Sequence, residues 1–307
     1  MTFRLPRLAA LPRDREVRRE PAGSGCHMIR LVEALRYRSL RFVRQELGPF
    51  QVLVGPNASG KSTFLDVVGF LGDLLRLGLG PAVRLRTPDV MNLIWMGEGR
   101  RLELAVELEI PEVRRKRLPA NGHRRARYEV AVGLDEKDEL SILAETLWLK
   151  PDEKISTPPQ RELFPSPQAP PASLLLPEGR HAPSGWKKVV SKKEAGNDYF
   201  SAETTGWNNP FRLGPQKLAL ANLPEDEERF PVATGVKRLL MEGIQRLALN
   251  SEAMSRPAPP GSPADFQPDG SNLPWAIEAL RGTPSQFERW VAHVRTALPD
   301  VTEIETI

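Results

Sequence analysis

Residues 50–63 read Phe-Gln-Val-Leu-Val-Gly-Pro-Asn-Ala-Ser-Gly-Lys-Ser-Thr, and this stretch decides the fold class. Its first five residues form a compact apolar run, which is typical of a buried strand. Beyond the glycine-containing loop, apolar residues recur at helical spacing, at Phe64, Val67, Val68, Leu71, Leu74 and Leu75. The pattern predicts an amphipathic helix that ends near Gly78 and Gly80.

The loop between this strand and helix fits the G-x-x-x-x-G-K-[ST] pattern of a phosphate-binding loop. Its glycines let successive backbone N–H groups face one anion, and the helix adds the positive end of its dipole. We predict that Lys61 reaches the β- and γ-phosphates of a nucleotide, that Ser62 binds Mg²⁺ and that Thr63 donates to the α-phosphate. The predicted nucleotide site comprises Gly55, Pro56, Asn57, Ala58, Ser59, Gly60, Lys61, Ser62 and Thr63.

The alternative interpretation of this loop is a glycine turn that precedes a helix by chance. A phosphate-binding loop requires a strand before the motif and a helix after it. The sequence predicts both, in that order, and therefore favours nucleotide binding.

Period-two patterns surround the loop and predict strands. Two short strands are expected before it, at 29–35 and 41–47, and alternation at 102–110, 128–132 and 140–149 predicts an antiparallel meander. The expected fold is α/β: a P-loop core sheet with an appended antiparallel subsheet and long proline-rich excursions.

The domain organisation follows from composition. We expect a disordered, arginine-rich extension over 1–27, with Met28 as a candidate biological start, and the first half of the P-loop core with its subsheet over 28–150. A proline-rich insertion is expected over 151–185, a mixed α/β continuation over 186–253, a second proline-rich loop over 254–268 and a helical segment over 269–307. Within these ranges we predict a strand at 244–249 and a helix that begins at the capping-box sequence Thr283-Pro284-Ser285-Gln286.

Composition excludes several classes of protein. The net charge is +4, but residues 1–27 carry six Arg, so the remaining chain is nearly neutral. The lone cysteine, Cys26, excludes an internal disulfide framework and a cysteine-based zinc cluster. The most apolar stretch, 64–83, contains Asp66, Asp73 and Arg76, so we expect no membrane span, and the N-terminus lacks the apolar core of a secretory signal. A cytoplasmic protein is expected.

Residues 28–75, with Tyr37-Arg38-Ser39 between two strands and then the glycine loop, resemble the ATPase heads of the RecF, SMC and ABC type. The chain is most similar to RecF-like AAA family ATPases that include relatives of overcoming-lysogenization-defect proteins, and Asp269-Gly-Ser-Asn-Leu-Pro274 is similar to a segment of that group. The resemblance implies ATP and Mg²⁺ as ligands, a nucleotide held between two associated heads, and a link to DNA in repair or defence.

Complete relatives also carry a signature loop, a Walker B Asp-Glu pair and a switch histidine after that segment. The chain reaches Ile307 before any of them, so it is expected to be the front part of such a protein, and no catalytic residue is assigned. Asp135-Glu136 follows an apolar run, as a Walker B pair does, but Asp135-Glu-Lys-Asp138 joins two predicted strands. We interpret it as a hairpin turn.

Arginines cluster at 114–117 and 124–127 on either side of a predicted loop, in two short runs. Such a cluster could neutralise DNA phosphates. The alternative is a solvated hairpin tip, which the absence of interleaved aromatic residues favours.

Three functional hypotheses follow. The first is an ATP-dependent dimerisation switch with possible DNA linkage, and the second is a catalytically incomplete nucleotide-binding module that needs a second half or a partner chain. The third, a small-molecule P-loop kinase, ranks lowest because two strands precede the glycine loop, whereas such kinases usually place it on the first.

Overall fold

The computed structural model describes residues 28–119, 122–151, 169–176, 183–194, 196–301 and 303–306. The strands are β1 Met28–Tyr37, β2 Leu40–Glu46, β3 Arg101–Glu109, β4 His123–Leu134, β5 Leu140–Pro151, β6 Lys187–Lys193, β7 Asp198–Ser201 and β8 Asn208–Phe211. The helices are α1 Lys61–Leu77, α2 Leu79–Arg84, α3 Glu112–Arg115, α4 Pro231–Glu242, α5 Ser251–Met254, α6 Leu273–Arg281 and α7 Pro284–Ala297. The extension predicted over 1–27 lies outside the described residues.

The eight strands form one sheet in the order β2-β1-β3-β4-β5-β6-β7-β8, and every neighbouring pair is antiparallel. The predicted leading strands and the meander are confirmed. The hairpin interpretation of Asp135-Glu136 is also confirmed, since β4 and β5 pair up to Leu134 opposite Leu140.

Helices α1 and α4 lie together over the apolar face of this sheet. The predicted stripe of α1 is buried at Phe64, Val67, Leu71, Leu74 and Leu75. The two helices approach closely at Gly72, where a Cβ atom would lie 2.4 Å from the carbonyl oxygen of Leu240. Any larger residue at position 72 would push the two helices apart. The core therefore fixes the position of α1, the helix that follows the glycine loop.

The opposite face of the sheet buries charged side chains. Arg127 donates to Glu129 at 2.6 Å and to Glu33 at 2.5 Å, and Lys150 donates to Glu107 at 2.7 Å. The described part of the proline-rich insertion, 169–176, lies on this cluster, because the Leu174 N–H donates to Glu103 and the Leu174 carbonyl accepts from Arg127. Such pairing is required, because an unpaired charge at this depth costs several kcal/mol.

Two strand predictions were wrong. The run 50–54 forms no strand, and Phe50, Val52 and Val54 are 82%, 65% and 89% exposed. The residues 244–249 also form no strand, and Leu247 and Leu249 are more than half exposed. An apolar run becomes a buried strand only where a neighbouring strand pairs with it, and no described segment does so here. The separate P-loop core sheet that we expected is therefore not present among the described residues.

The C-terminal helices α6 and α7 form where expected, but their apolar side chains are less buried than expected. Helix α7 begins at Pro284 as predicted, yet the Thr283 side chain makes no capping hydrogen bond. Within α7 the ring centroids of Phe287 and Trp290 lie 5.9 Å apart, and Arg281 at the end of α6 lies over the Phe287 ring. No residue of either helix is fully buried.

A buried carboxylate gives the fold a pH dependence. Glu145 accepts hydrogen bonds from the Tyr128 hydroxyl and the Leu220 N–H, both at 2.9 Å. Burial raises the pKa of Glu145 to about 7, although these hydrogen bonds oppose the shift. Between its ordinary pKa and about 7 the folded state keeps a proton that the unfolded chain has released, so this group's contribution to stability falls as the pH rises through that interval.

We predict that Glu145→Gln gains stability relative to the wild type as the pH rises from about 5 to about 8, by on the order of 1–3 kcal/mol. Glutamine resembles the protonated acid and avoids burying a negative charge. Urea unfolding followed by circular dichroism at the two pH values measures the difference. The matched control is Glu139→Gln, at an exposed position. If the difference in unfolding free energy between Glu145→Gln and the wild type does not change with pH, the raised pKa of Glu145 is contradicted.

Candidate functional site

The predicted phosphate-binding loop lies between the exposed run 50–54 and the N-terminus of α1. Its backbone takes left-handed conformations at Ala58, with φ 64°, and at Gly60, with φ 90°. The positive φ favours glycine at residue 60, where a Cβ atom would lie 2.9 Å from Cδ2 of Leu40 and would require that side chain to move. The loop thus curls tightly, and residues 55–59 are exposed to solvent.

The N-terminus of α1 presents backbone N–H groups that the helix itself does not use. The first N–H to bond within the helix is that of Phe64, which donates to the Gly60 carbonyl at 2.8 Å. Lys61, Ser62 and Thr63 precede it, no side chain caps the helix, and its first turn has no acidic residue. Free N–H donors at the positive end of a 17-residue helix suit a phosphate group.

The Lys61 side chain lies across the loop. Its Nζ donates to the carbonyl oxygens of Gly55 and Pro56, at 2.6 Å each, and lies 3.4 Å from the Ser59 Oγ. All three contacts are to neutral oxygens, and the ammonium group has no carboxylate among them. A negatively charged phosphate would therefore be a stronger partner for Lys61 than the groups it now contacts.

The turn between β1 and β2 supports the loop from one side. The Ser39 and Thr63 hydroxyl oxygens lie 2.9 Å apart, and Leu40 packs against Gly60. In the sequence, Tyr37-Arg38-Ser39 lies between two predicted strands and contributes to the family resemblance, but no local pattern places Ser39 beside Thr63. Long-range pairing of β1 with β2 and the packing of α1 bring them together.

A buried ion network fixes the same turn to α1. Asp66 accepts hydrogen bonds from the Tyr37 hydroxyl at 2.6 Å, from Arg38 at 3.0 Å and from Arg86 at 2.7 Å. Burial opposes ionisation of Asp66, but the hydrogen bonds from Arg86 and Tyr37 outweigh it and lower its pKa. Arg86 also pairs with Asp73. The anion of Asp66 thus ties the turn, α1 and the segment after α2 together.

Sequence reasoning missed Asp66 as a structural residue. The signal was present, since Asp66 interrupts the apolar stripe of α1 at a buried position. An acid there needs a cationic partner, but the partners come from residues 20 and more positions away in sequence, which no local pattern reveals.

The Asp135 carboxylate accepts its hydrogen bonds from the turn between β4 and β5 and from the start of β5. It accepts hydrogen bonds from the backbone N–H groups of Lys137 and Glu139 and from the Ser141 hydroxyl. These hydrogen bonds lower the pKa of Asp135, the one from Glu139 most. Asp135 acts as the organising acid of a β-hairpin turn.

The two arginine runs separate in the structure. Arg114 donates to Thr234 and lies 3.6 Å from Glu227, and Arg117 also pairs with Glu227, so both attach α3 to the region of α4. Arg125 lies 3.5 Å from Glu107, and Arg127 belongs to the buried cluster. Several members of the predicted basic patch therefore hold the fold together.

A comparison with protein-family models matches residues 50–296 to a family described as an AAA domain, with the AbiEii toxin and Type IV TA systems named in its description. The match covers more than half of the chain and includes the glycine loop and α1. The chain belongs to this family of AAA-domain proteins, and the predicted resemblance to AAA family P-loop ATPases is confirmed.

Among solved structures, one similar chain is described as "Structural biochemistry of ATP-driven dimerization and DNA stimulated activation of SMC ATPases". It is 20% identical, the likeness covers 40% of this chain and 69% of that chain, and the TM-score is 0.29. A search of curated proteins finds no match. Within the described ranges, no helix is both long enough and apolar enough to cross a membrane.

Proposed function

We propose that this AAA-domain chain binds ATP with Mg²⁺ at residues 55–63 and uses the nucleotide as a switch for self-association with a second ATPase head. The observation that supports nucleotide binding most directly is the convergence of unused N–H groups of α1 and the Lys61 ammonium group at one exposed loop. Membership of the AAA family supports the same ligand.

Different residues of the loop contact different parts of Mg-ATP in this proposal. Backbone N–H groups at the start of α1 hold the β-phosphate, and Lys61 neutralises charge on the β- and γ-phosphates. Ser62 supplies a hydroxyl oxygen to Mg²⁺, which screens the negative charge of the triphosphate when bound. Thr63, whose hydroxyl already contacts Ser39, supplies a further donor to the α-phosphate.

Self-association is tested by sedimentation velocity with and without Mg-ATP. The expected result is a concentration-dependent dimer that forms with Mg-ATP and is absent without nucleotide and in Lys61→Ala. If calorimetry shows that the chain binds ATP but it stays monomeric under all conditions, the proposed dimerisation switch is contradicted. The proposed nucleotide site is not affected by that result.

The second candidate is a nucleotide-binding module that is catalytically incomplete until another segment or chain pairs with it. One observation favours it: the apolar run 50–54, which leads directly into the loop, is exposed at Phe50, Val52 and Val54 and pairs with no described strand. Exposed strand-forming apolar residues gain most from a partner strand.

This candidate makes a prediction about turnover. Because Asp135 is engaged in its turn and no carboxylate is assigned to position the attacking water, we expect ATP to be bound but hydrolysed slowly or not at all. Phosphate release at saturating ATP, compared with the Lys61→Ala background, measures it. Rapid turnover that Lys61→Ala abolishes would contradict the incomplete-module hypothesis and support the first one.

A further inference from the structure

A second cluster of positive charge lies at the end of the sheet away from the glycine loop. Arg30 is near the start of β1, whereas the turn that contacts the loop follows the last residue of the same strand, Tyr37. Seven residues of extended chain separate the two places by about 20 Å. The cluster is therefore a separate feature from the predicted nucleotide site.

The arginines there surround one cavity of about 290 Å³. Its lining comes from β1, the end of β2, β3, α3 and β4, and consists of Arg30, Glu46, Leu47, Glu109, Arg115, Arg124 and Arg125. Four guanidinium groups face two carboxylates, so the cavity carries a net charge of +2. The walls belong mainly to paired strands, which hold the charged side chains on a rigid frame.

Two neighbouring carboxylates contact arginines of the cavity. Glu109 is held by Arg30, whose Nε donates to it at 2.8 Å. Glu107, the partner of Arg125 at 3.5 Å, lies closer to Lys150, at 2.7 Å, whereas Arg127 pairs most closely with Glu33 and Glu129. Arg125 therefore shares the buried Glu107 carboxylate with Lys150.

We propose that this cavity is a binding site for a phosphate group, distinct from residues 55–63. Guanidinium groups suit phosphate because their N–H donors form a rigid fork that matches two of its oxygens. A cavity of this size takes a single phosphate group with its immediate substituents. The phosphate belongs either to a free polyphosphate or to a nucleic-acid backbone, and the test separates these two sources.

The test uses the full chain carrying Lys61→Ala, which removes the main phosphate contact at the glycine loop. Tripolyphosphate is titrated in by calorimetry, and a labelled 20-nucleotide single-stranded DNA is titrated in by fluorescence anisotropy, each at two salt concentrations. We expect one or both probes to bind, with an affinity that falls as salt rises. Binding of tripolyphosphate alone identifies a free polyphosphate site, and binding of DNA identifies a backbone site.

Arg115→Ser with Arg124→Ser is expected to weaken this binding at least tenfold and, for single-stranded DNA, to reduce the slope of log affinity against log salt by about 1.4. Arg246→Ser with Arg289→Ser is the matched control, because it removes the same charge from exposed positions elsewhere and should change affinity less than twofold. If the serine variant does not fold, Arg115→Lys with Arg124→Lys replaces it, and we expect at least a threefold loss because lysine lacks the fork.

The proposal is overturned if neither probe binds the Lys61→Ala chain. It is equally overturned if the control variant loses as much affinity as the cavity variant, which would indicate attraction by overall charge. Neither outcome tests ATP binding at residues 55–63, which is measured separately by titrating Mg-ATP into the wild-type chain.

Discussion

Replacing Lys61 with alanine is expected to weaken binding of Mg-ATP by about ten- to a hundredfold, because one charge-assisted hydrogen bond to phosphate is worth about 1.5–3 kcal/mol. The fold should survive the change, since Lys61 Nζ contacts only the loop's own carbonyl oxygens and Ser59. Isothermal titration of wild type and variant measures the effect.

The control for this prediction is Lys217→Ala, which removes the same charge from an exposed position outside the loop. We expect its affinity for Mg-ATP to match that of the wild type. Equal affinity in Lys61→Ala and in wild type would show that the nucleotide is not held by this loop.

Replacing Asp66 with alanine is expected to lower the free energy of unfolding by about 3–5 kcal/mol. The change leaves the buried Arg86 with Asp73 as its carboxylate partner in place of two carboxylates, and it deprives the buried Tyr37 hydroxyl of its acceptor. Because Arg38 loses its anchor as well, the turn that supports Gly60 and Thr63 should loosen. Chemical unfolding followed by circular dichroism gives the stability.

Tyr37→Phe separates the parts of this network. It removes one hydrogen bond and keeps the ion pairs, so we expect a loss of only about 1 kcal/mol. Asp89→Ala, at an exposed aspartate that caps a short turn, is the second comparison. A stability of Asp66→Ala within 1 kcal/mol of the wild type would contradict the assigned role.

The sequence predicted those helices and strands in which apolar residues recur at a regular spacing within the element itself. The stripe of α1 and the alternation in β3, β4 and β5 predicted the type of each element, because each needs only its own residues to define a face. The approximate bounds were predicted for α1, β3 and β5, whereas the prediction for β4 covered only 128–132 of His123–Leu134. The hairpin at Asp135 followed from the same alternation on both sides.

The patterns failed where burial depends on a distant partner. The run 50–54 has the composition of a core strand, but composition cannot show that no described strand lies beside it. Asp66 and Glu145 show the opposite case. Their acidic side chains suggest surface positions, but both are buried in the structure, because hydrogen-bond partners from remote segments stabilise them there. At the glycine loop, the motif predicted the residues, and the structure added the support from Ser39 and Leu40.

Amide hydrogen exchange at the start of α1 tests the nucleotide site most directly. The N–H groups of Lys61, Ser62 and Thr63 lie ahead of the first bond within the helix, so they should exchange rapidly in the free chain. We predict that saturating Mg-ATP slows their exchange at least tenfold. Unaltered exchange at residues 61–63 under saturating nucleotide would contradict the proposal that this helix end holds the phosphates.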